Sequence, residues 1–266
     1  MPTLRLTVEY EGTRYRGWQE QKNARTVAGE LRSAIEAVAG GVVELGGAGR
    51  TDAGVHALAQ VAHLRLTNRP GPLARFLAEV NERLPADIHL VGARPAAERF
   101  HARHHAVERS YLYQISRRRT ALGKRFVWWV RRELDAAAMA AAAAGLVGGH
   151  DFAAFCEKPE KQTSTLVVVE RIDLVEAGDL VLVRVAASHF LWKMVRRLVG
   201  ALVEVGAGEL PRDALLALVE APREPGRFRP AEHTAPPSGL FLERVLYEGD
   251  PPLGPLVPAI PVASPR

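Results

Sequence analysis

The sequence predicts an α+β protein built from two halves, and three observations support this. Segments in which apolar and polar residues alternate, typical of half-buried strands, take turns with segments whose apolar residues recur at helical spacing. The 266 residues suffice for one large or two modest domains, at roughly 150 residues per domain. An apolar content of 47% with 24% charged residues is typical of a globular chain with a core. We divide the chain into residues 1–105, residues 106–248 and a proline-rich tail, residues 249–266.

The first half begins with the alternating segment LRLTVEY at 4–10, which predicts a strand. A helix of about 13 residues follows, with Thr26 placed as its N-cap and Gly40 and Gly41 placed to end it. The other elements predicted in this half are strands at 42–45, 57–66 and 87–93 and a helix at about 73–84.

In the second half we predict strands at 107–115, 166–175, 180–187 and 240–247, an alanine-rich helix at about 134–146, and helices after Leu191 and Leu210. The apolar run at 190–206 is interrupted by Lys193, Arg196, Arg197 and Glu204, which predicts a packed helix rather than a membrane span. The spacing of the three cations places them on one helix face, typical of a solvated stripe. The prolines of the tail predict an extended or disordered segment unless it packs on a neighbour.

The charge balance is modestly basic, with a formal net charge of +5 and a pI near 9.6. Of its 35 cationic side chains only five are lysines, and the planar guanidinium of arginine suits bidentate contacts with phosphates. A GC-rich genome would produce the same arginine excess. The single cysteine, Cys156, excludes an internal disulfide or a multi-cysteine zinc site, and the first residues lack the apolar region of a secretion signal. We therefore expect a cytoplasmic protein.

The glycine-rich segment GGAGRTDAGVH at 46–56 is the strongest candidate for a site. Its glycines allow the backbone to bring Asp52 close to a ligand. The segment has neither the Gly-Lys-Ser/Thr of a phosphate-binding loop nor the third glycine of a dinucleotide fingerprint. A plain hairpin turn that contains Asp52 is the alternative interpretation.

Three other segments are candidates for RNA contacts. The segment GTRYRGWQ at 12–19 mixes cations with aromatic residues, as in proteins that hold looped RNA, although a surface loop has the same composition. The histidines of FHARHH at 100–105 have no acidic residue among them, which favours RNA contact or packing over a metal site. Tyr111 and Tyr113 share a strand face, and either packs in a core or stacks on a base.

Six motifs, read together and in order, resemble the tRNA pseudouridine synthase A family over almost the whole chain. They are YEGTRYRGWQ at 10–19, GRTDAGVHA at 49–57, FHARHHA at 100–106, RSYLY at 109–113, FLWKMVRRLVGALVEVG at 190–206 and SGLFL at 238–242.

The resemblance implies that Asp52 is the catalytic aspartate, that Arg50 and Tyr111 line the site, that Arg196 pairs with Asp52, and that Leu240 packs under the target uridine. It further implies RNA contacts by a set of polar and aromatic residues: Arg14, Trp18, Gln19, His56, His101, Arg103, Lys193 and Arg197. Because the isomerisation needs neither redox change nor an energy donor, no cofactor and no metal is expected. Asp52 would act as a nucleophile at C1′ or as a base at C2′.

The fold implied by the resemblance is one extended, mainly antiparallel sheet, formed by two related halves and flanked by helices around a central basic cleft. The implied assembly is a homodimer that holds the anticodon arm of tRNA and modifies its positions 38, 39 and 40. No membrane partner is expected. Two departures stand out: Phe241 replaces a frequent tyrosine, and the strand at 166–169 lacks a frequent arginine. Lys161 or Arg171 could make the contact of that missing arginine.

Two other functions compete with this one. A non-catalytic RNA-binding protein would have no need of the intact Asp52, Arg50, Tyr111 and Arg196. A glycosidase-like hydrolase would need a second carboxylate opposite Asp52, and none stands out in the motifs.

Overall fold

The structure, a computed structural model, describes residues 1–222 and 228–262 and has the predicted α+β fold. Its strands pair mostly antiparallel. In chain order the described helices and strands are β1 (Thr3–Tyr10), α1 (Val27–Ala39), β2 (Val42–Gly47), β3 (His56–Leu66), α2 (Leu73–Asn81), β4 (Ile88–Pro95), β5 (Ala106–Ser116), β6 (Trp128–Trp129), α3 (Ala136–Ala144), β7 (Gly148–Asp151), β8 (Leu166–Ala177), β9 (Leu180–Ala187), α4 (Met194–Gly206), α5 (Arg212–Glu220) and β10 (Leu240–Tyr247).

The chain forms two compact units. The first contains Met1–Val107 and Phe241–Pro252; the second contains Glu108–Leu240 and the described residues from Leu253 onward. The prediction ended the first half at residue 105 and kept β10 in the second half, whereas all of β10 after Leu240 groups with the first unit. The reason is long-range pairing: Phe241 and Leu242 pair with β3, and Arg5 donates two hydrogen bonds to the Asp250 carboxylate, at 3.3 and 2.7 Å.

In the first unit the strand order is β4-β1-β3-β10, and β3 is its longest strand. Antiparallel β1 pairs with β3 along its length, while β2 pairs with the C-terminal half of β3. Helix α1 buries its apolar face, and the predicted cap is confirmed because Thr26 accepts a hydrogen bond from the Gly29 amide at 3.3 Å. The segment between β2 and β3 therefore leads into a strand that pairs with β1, β2 and β10.

In the second unit the order is β5-β9-β8-β7, all antiparallel, with β6 parallel to β5. The residues of α4 are buried on every side except at Arg196. This explains the apolar run in the sequence, since a helix surrounded by protein is hydrophobic all round. No helix in the described part of the chain is long and apolar enough to cross a membrane.

The proline-rich tail has no helix or strand at residues 250–262, and it packs on its own chain. Gln114 donates to the Ile260 carbonyl and accepts from the Ile260 amide, both at 3.3 Å. Arg184, a buried residue of β9, donates to the carbonyls of Gly254 at 2.9 Å and Pro255 at 3.2 Å. The tail up to residue 262 thus supplies polar partners that the second unit needs, and residues 263–266 lie outside the described residues.

Candidate active site

The loop that carries Asp52, residues 48–55, joins β2 to β3 and is held by its backbone. The Ala48 amide donates to the Val61 carbonyl at 2.8 Å, and the buried Gln60 side chain donates to the Gly49 carbonyl at 2.9 Å. The Val55 amide closes a turn on the Asp52 carbonyl at 3.2 Å. These bonds fix the backbone on both sides of Asp52.

Thr51 anchors the loop through its buried side chain. It is buried, and its hydroxyl forms a 2.7 Å hydrogen bond with the phenol of Tyr10. Burial raises the pKa of Tyr10 far above its ordinary value, so the phenol stays neutral at any physiological pH. Asp52 is half-buried and Arg50 is exposed. The loop therefore has a buried anchor next to a more accessible carboxylate.

The segment at 12–19 supports the loop through its backbone. The Trp18 amide donates to the Thr51 carbonyl at 3.1 Å, and the Gly54 amide donates to the Tyr15 carbonyl at 3.3 Å. Gly17 has a φ of +95°, and a methyl group there would overlap the Thr51 carbonyl oxygen. The Gly17-Trp18 pair is therefore needed for a close approach of two backbone segments.

Two residues of the first unit that we expected to contact RNA are buried. The Trp18 ring is 2% exposed and packs against Gly47, and His56 is 1% exposed. His56 Nδ1 accepts from the Gly12 amide at 3.0 Å, and its ring stacks on Phe241 at 4.8 Å. The expected RNA contacts of Trp18 and His56 do not fit these positions, whereas the expected contact residues Arg14 and Gln19 are exposed.

The histidine cluster also packs beside an acidic residue that the sequence motif did not reveal. In the described part of the chain, Glu44, His63 and His101 bring ligand atoms within 4.8 Å of one another. However, Nδ1 of His63 accepts from the Ala102 amide at 3.1 Å, and Nδ1 of His101 accepts from the Arg103 amide at 3.2 Å. An imidazole that accepts at Nδ1 carries its proton on Nε2, which then cannot bind a metal.

The protonation of this cluster follows from its packing. Nε2 of the buried His63 lies 3.2 Å from a Glu44 carboxylate oxygen, and this neighbour lowers the pKa of Glu44. Burial lowers the pKa of His101, with the nearby His63 as a further cause. His101 is half-buried and Arg103 exposed, so Arg103 is the stronger candidate for a phosphate contact.

In the second unit, the two tyrosines of β5 differ in their exposure and in their contacts. Tyr113 is fully buried and donates to the Pro236 carbonyl at 2.8 Å. Burial raises the pKa of Tyr113 well above its ordinary value. Tyr111 is 9% exposed, with the ring of Phe190 edge-on at 5.1 Å. Both tyrosines are buried, and Tyr113 is the more deeply buried of the two.

Arg196 is held by a segment that sequence reasoning missed. Its Nε donates to the Ala235 carbonyl at 2.7 Å, and the Ala235 amide donates back to the Arg196 carbonyl at 3.1 Å. Gly200 allows this approach, since a methyl group there would overlap the His233 carbonyl oxygen. The sequence signal for this contact was Gly200, a glycine in the interior of the predicted helix.

The same segment leads to Leu240. After Ala235, the Pro236 carbonyl binds Tyr113, and a single turn at Pro237–Gly239 enters β10 at the buried Leu240. A methyl group at Gly239 would lie 2.6 Å from the Tyr113 ring. Residues 235–240 therefore connect Arg196 to Leu240 within one unit through short-range contacts.

The predicted cationic stripe on α4 is wrong. Lys193 has a left-handed φ of +61° and precedes the helix, and Arg197 is 6% exposed. Arg197 donates to the Cys156 carbonyl at 2.5 Å and to the Glu157 carboxylate. The expected RNA contact of Arg197 does not fit a buried, hydrogen-bonded guanidinium, whereas Lys193 is half-buried at the surface.

Comparison with known proteins shows that this chain is an RNA-modifying enzyme and shows the family to which it belongs. A model of the tRNA pseudouridine synthase family matches residues 6–105 and 142–248, and the chain belongs to this family. It is an isomerase that converts uridine to pseudouridine in tRNA.

Among the curated relatives, tRNA pseudouridine synthase A of Rhodopseudomonas palustris is 41% identical over 250 residues, covering 93% of this chain and 100% of that protein. The protein of that name from Brucella ovis is 42% identical over 253 residues, covering 93% and 98%. A solved structure of an unknown protein from Galdieria sulphuraria is 12% identical and covers 77% of this chain and 91% of that one; its TM-score of 0.23 does not establish a common fold.

Proposed function

We propose that this protein isomerises uridines 38, 39 and 40 in the anticodon stem-loop of tRNA, with Asp52 as the carboxylate that acts on the ribose. The observation that carries the role of Asp52 is the construction of its loop. Hydrogen bonds fix the backbone at Gly49, Thr51 and Val55, and the residue beside the buried Thr51 is a half-buried carboxylate. The backbone that carries this carboxylate is therefore held in place before substrate binds.

The reaction rearranges bonds without net gain or loss of atoms. The N1–C1′ glycosidic bond breaks, the base turns, and a C5–C1′ bond forms. The hydrogen on C5 leaves as a proton, and N1 takes up a proton. No oxidant, reductant or energy donor is needed, which is why we expect no cofactor.

Two routes for Asp52 are consistent with this balance. As a nucleophile, the carboxylate attacks C1′ and is displaced when C5 bonds to C1′. As a general base, it removes the C2′ proton as the N1–C1′ bond breaks, which gives a glycal; C5 then bonds to C1′ and the proton returns to C2′. A primary isotope effect with C2′-deuterated uridine is expected only for the second route, provided that this step limits the rate.

The other site residues have chemically distinct roles in the proposal. Arg196 would pair with Asp52 and keep it ionised, because a nearby positive charge lowers a carboxylate pKa. Tyr111 would stack on the base after it leaves the helical stack, with Leu240 packed under it and Arg50 at the edge of the site. The hydrogen bond from Arg196 to Ala235 supports this role, since a guanidinium fixed at Nε loses less entropy on pairing.

We further propose that a homodimer in the cytoplasm holds one tRNA. For the RNA backbone we propose Arg14, Gln19, His101, Arg103 and Lys193. The family membership and the basic composition support these proposals, since proteins that bind RNA neutralise its phosphates with cations.

Tritium release from tRNA transcripts labelled at uridine C5 tests the proposal, because C5–C1′ bond formation must expel that hydrogen. We expect release with wild type and none with Asp52→Asn, while the variant binds tRNA within a few-fold of wild type, since the change is nearly isosteric. Asp213→Asn, in the first turn of α5, is the matched control and should release tritium normally.

Replacing uridines 38 to 40 by cytidine should abolish release by wild type. Substantial turnover by Asp52→Asn would refute the role of the aspartate. Undiminished release from the cytidine-substituted transcript would instead refute the anticodon site.

A further inference from the structure

Trp192 is an exposed aromatic side chain with two lysines beside it. The indole is 45% exposed. The ammonium nitrogen of Lys158 lies 5.6 Å from its ring centroid and that of Lys193 lies 5.7 Å away, both within cation–π range. The chain has only five lysines in 266 residues, and two of them lie beside this one indole. A high lysine content therefore does not explain the pair.

The backbone at both lysines is unusual. In the described part of the chain, Lys158 with a φ of +55° and Lys193 with a φ of +61° are the only non-glycine residues in the left-handed region. A residue with a Cβ is strained there, and such strain persists at sites where the surrounding structure holds it. Both strained positions direct an ammonium group to the same ring.

The two segments that carry these residues are tied to each other. The Glu157 amide donates to the Trp192 carbonyl at 2.9 Å, and the buried Arg197 donates to both the Cys156 carbonyl and the Glu157 carboxylate. The second oxygen of Glu157 lies 3.5 Å from the Lys193 ammonium. Glu157 is therefore shared between the buried Arg197 and Lys193, whereas no ion pair is found for Lys158 among the described residues.

We propose that Trp192, Lys158 and Lys193 form a second contact region for RNA, in which the indole stacks on an unpaired base and the ammonium groups pair with adjacent phosphates. This combination of an aromatic face with cations is how proteins hold single-stranded nucleic acid without reading its sequence. The turn that follows Lys158 also holds the exposed Lys161, next to the exposed Glu160. The proposal rests on the tRNA substrate of the proposed function; it takes Lys193 from the RNA contacts proposed there and adds Trp192 and Lys158 to them.

Binding and salt dependence test this region in the full-length enzyme. Trp192→Ala should weaken binding of unmodified tRNA by about tenfold, because base stacking on an aromatic side chain contributes about that much affinity. The loss is expected in KM rather than in kcat, since the proposal gives the indole a role in holding RNA and none in the reaction. Trp192→Phe, which keeps an aromatic face, should restore most of the binding even if the alanine variant is less stable.

The lysines are tested by the slope of log Kd against log salt. The double variant Lys158→Ala with Lys193→Ala should reduce that slope by about two, because two phosphates are then no longer neutralised and each changes the slope by about one. Lys124→Ala, an exposed lysine elsewhere in the second unit, is the matched control and should leave the slope and KM unchanged.

The proposal is overturned if Trp192→Ala and the double variant bind tRNA like Lys124→Ala while their melting temperatures match wild type. This result would be distinct from failure of the proposed function. That failure appears as missing tritium release by wild type, whereas failure of the second contact region leaves wild-type release intact.

Discussion

Replacing Gly17 by alanine tests whether the backbone contact behind the Asp52 loop positions the carboxylate. Gly17 has a φ of +95°, which strains a residue with a Cβ by about 1–2 kcal/mol. The new methyl group would also overlap the Thr51 carbonyl oxygen, and the loop would have to retreat by roughly 1 Å to restore ordinary contact. Overpacking of this kind costs about 1–3 kcal/mol more. We expect the free energy of unfolding to fall by about 2–5 kcal/mol in total.

The effect on activity should exceed the effect on stability. Because Thr51 is bonded directly to Asp52, the shift moves the carboxylate, and a misplacement of about 1 Å costs about 100-fold in rate. The assay is single-turnover tritium release at saturating enzyme, run at a temperature where circular dichroism shows the variant folded. Urea denaturation gives the free energy of unfolding.

Gly178→Ala is the matched control for backbone strain. Gly178 lies in the turn between β8 and β9 with a φ of +60°, and a methyl group there would meet nothing within 4 Å. This variant should be less stable by about 1 kcal/mol and keep its rate. Equal rates for Gly17→Ala, Gly178→Ala and wild type would refute the argument that Gly17 positions the loop.

Three further predictions concern the second unit and its tail. If Arg196 pairs with Asp52 as proposed, Arg196→Ala should move the acid limb of the kcat/KM profile to higher pH, because a neighbouring cation lowers a carboxylate pKa; an unmoved limb would argue against the pair. Glu204→Gln should lower the free energy of unfolding by about 2 kcal/mol at about pH 7, since Arg132 donates to this carboxylate at 2.6 and 2.8 Å. The pKa of Glu204 is lowered, chiefly by the hydrogen bond from Arg132, so the difference from wild type in urea melts should shrink as pH falls below 4.5 and persist above it. Deleting the chain after residue 253 removes two acceptors of the buried Arg184 and should lower the free energy of unfolding by about 1–3 kcal/mol, whereas an unchanged urea midpoint would show that the tail is dispensable.

The sequence predicted well what depends on local pattern. The alternation at 4–10 and the spacing and cap of α1 rest on neighbours within a few residues, and the structure has both elements. Strands β6 and β7, of two and four residues, were missed because such short segments have no readable period.

Long-range contacts were not predictable in the same way. Trp18, His56 and Arg197 have side chains that suit RNA, and their types alone favoured contact with RNA. Their burial depends on partners far along the chain: the amide that His56 accepts from is 44 residues away, and the carbonyl that Arg197 binds is 41 residues away. A motif shows which residues are needed but not whether they touch substrate or hold the residues that do.

The pairing of β10 with β3 has a consequence for how the enzyme is synthesised. The first unit is complete only when Phe241–Pro252 joins it, after the 133 residues from 108 to 240 have been made. At about 5–20 residues per second, a ribosome needs roughly 7 to 27 s for that stretch. During this interval the N-terminal end of β3 lacks its β10 partner, and His56 lacks the Phe241 ring that stacks on it in the folded protein. An unpaired strand edge of this kind can pair with another chain. The loop that carries Asp52 is therefore synthesised next to a strand edge that has no partner until β10 is made.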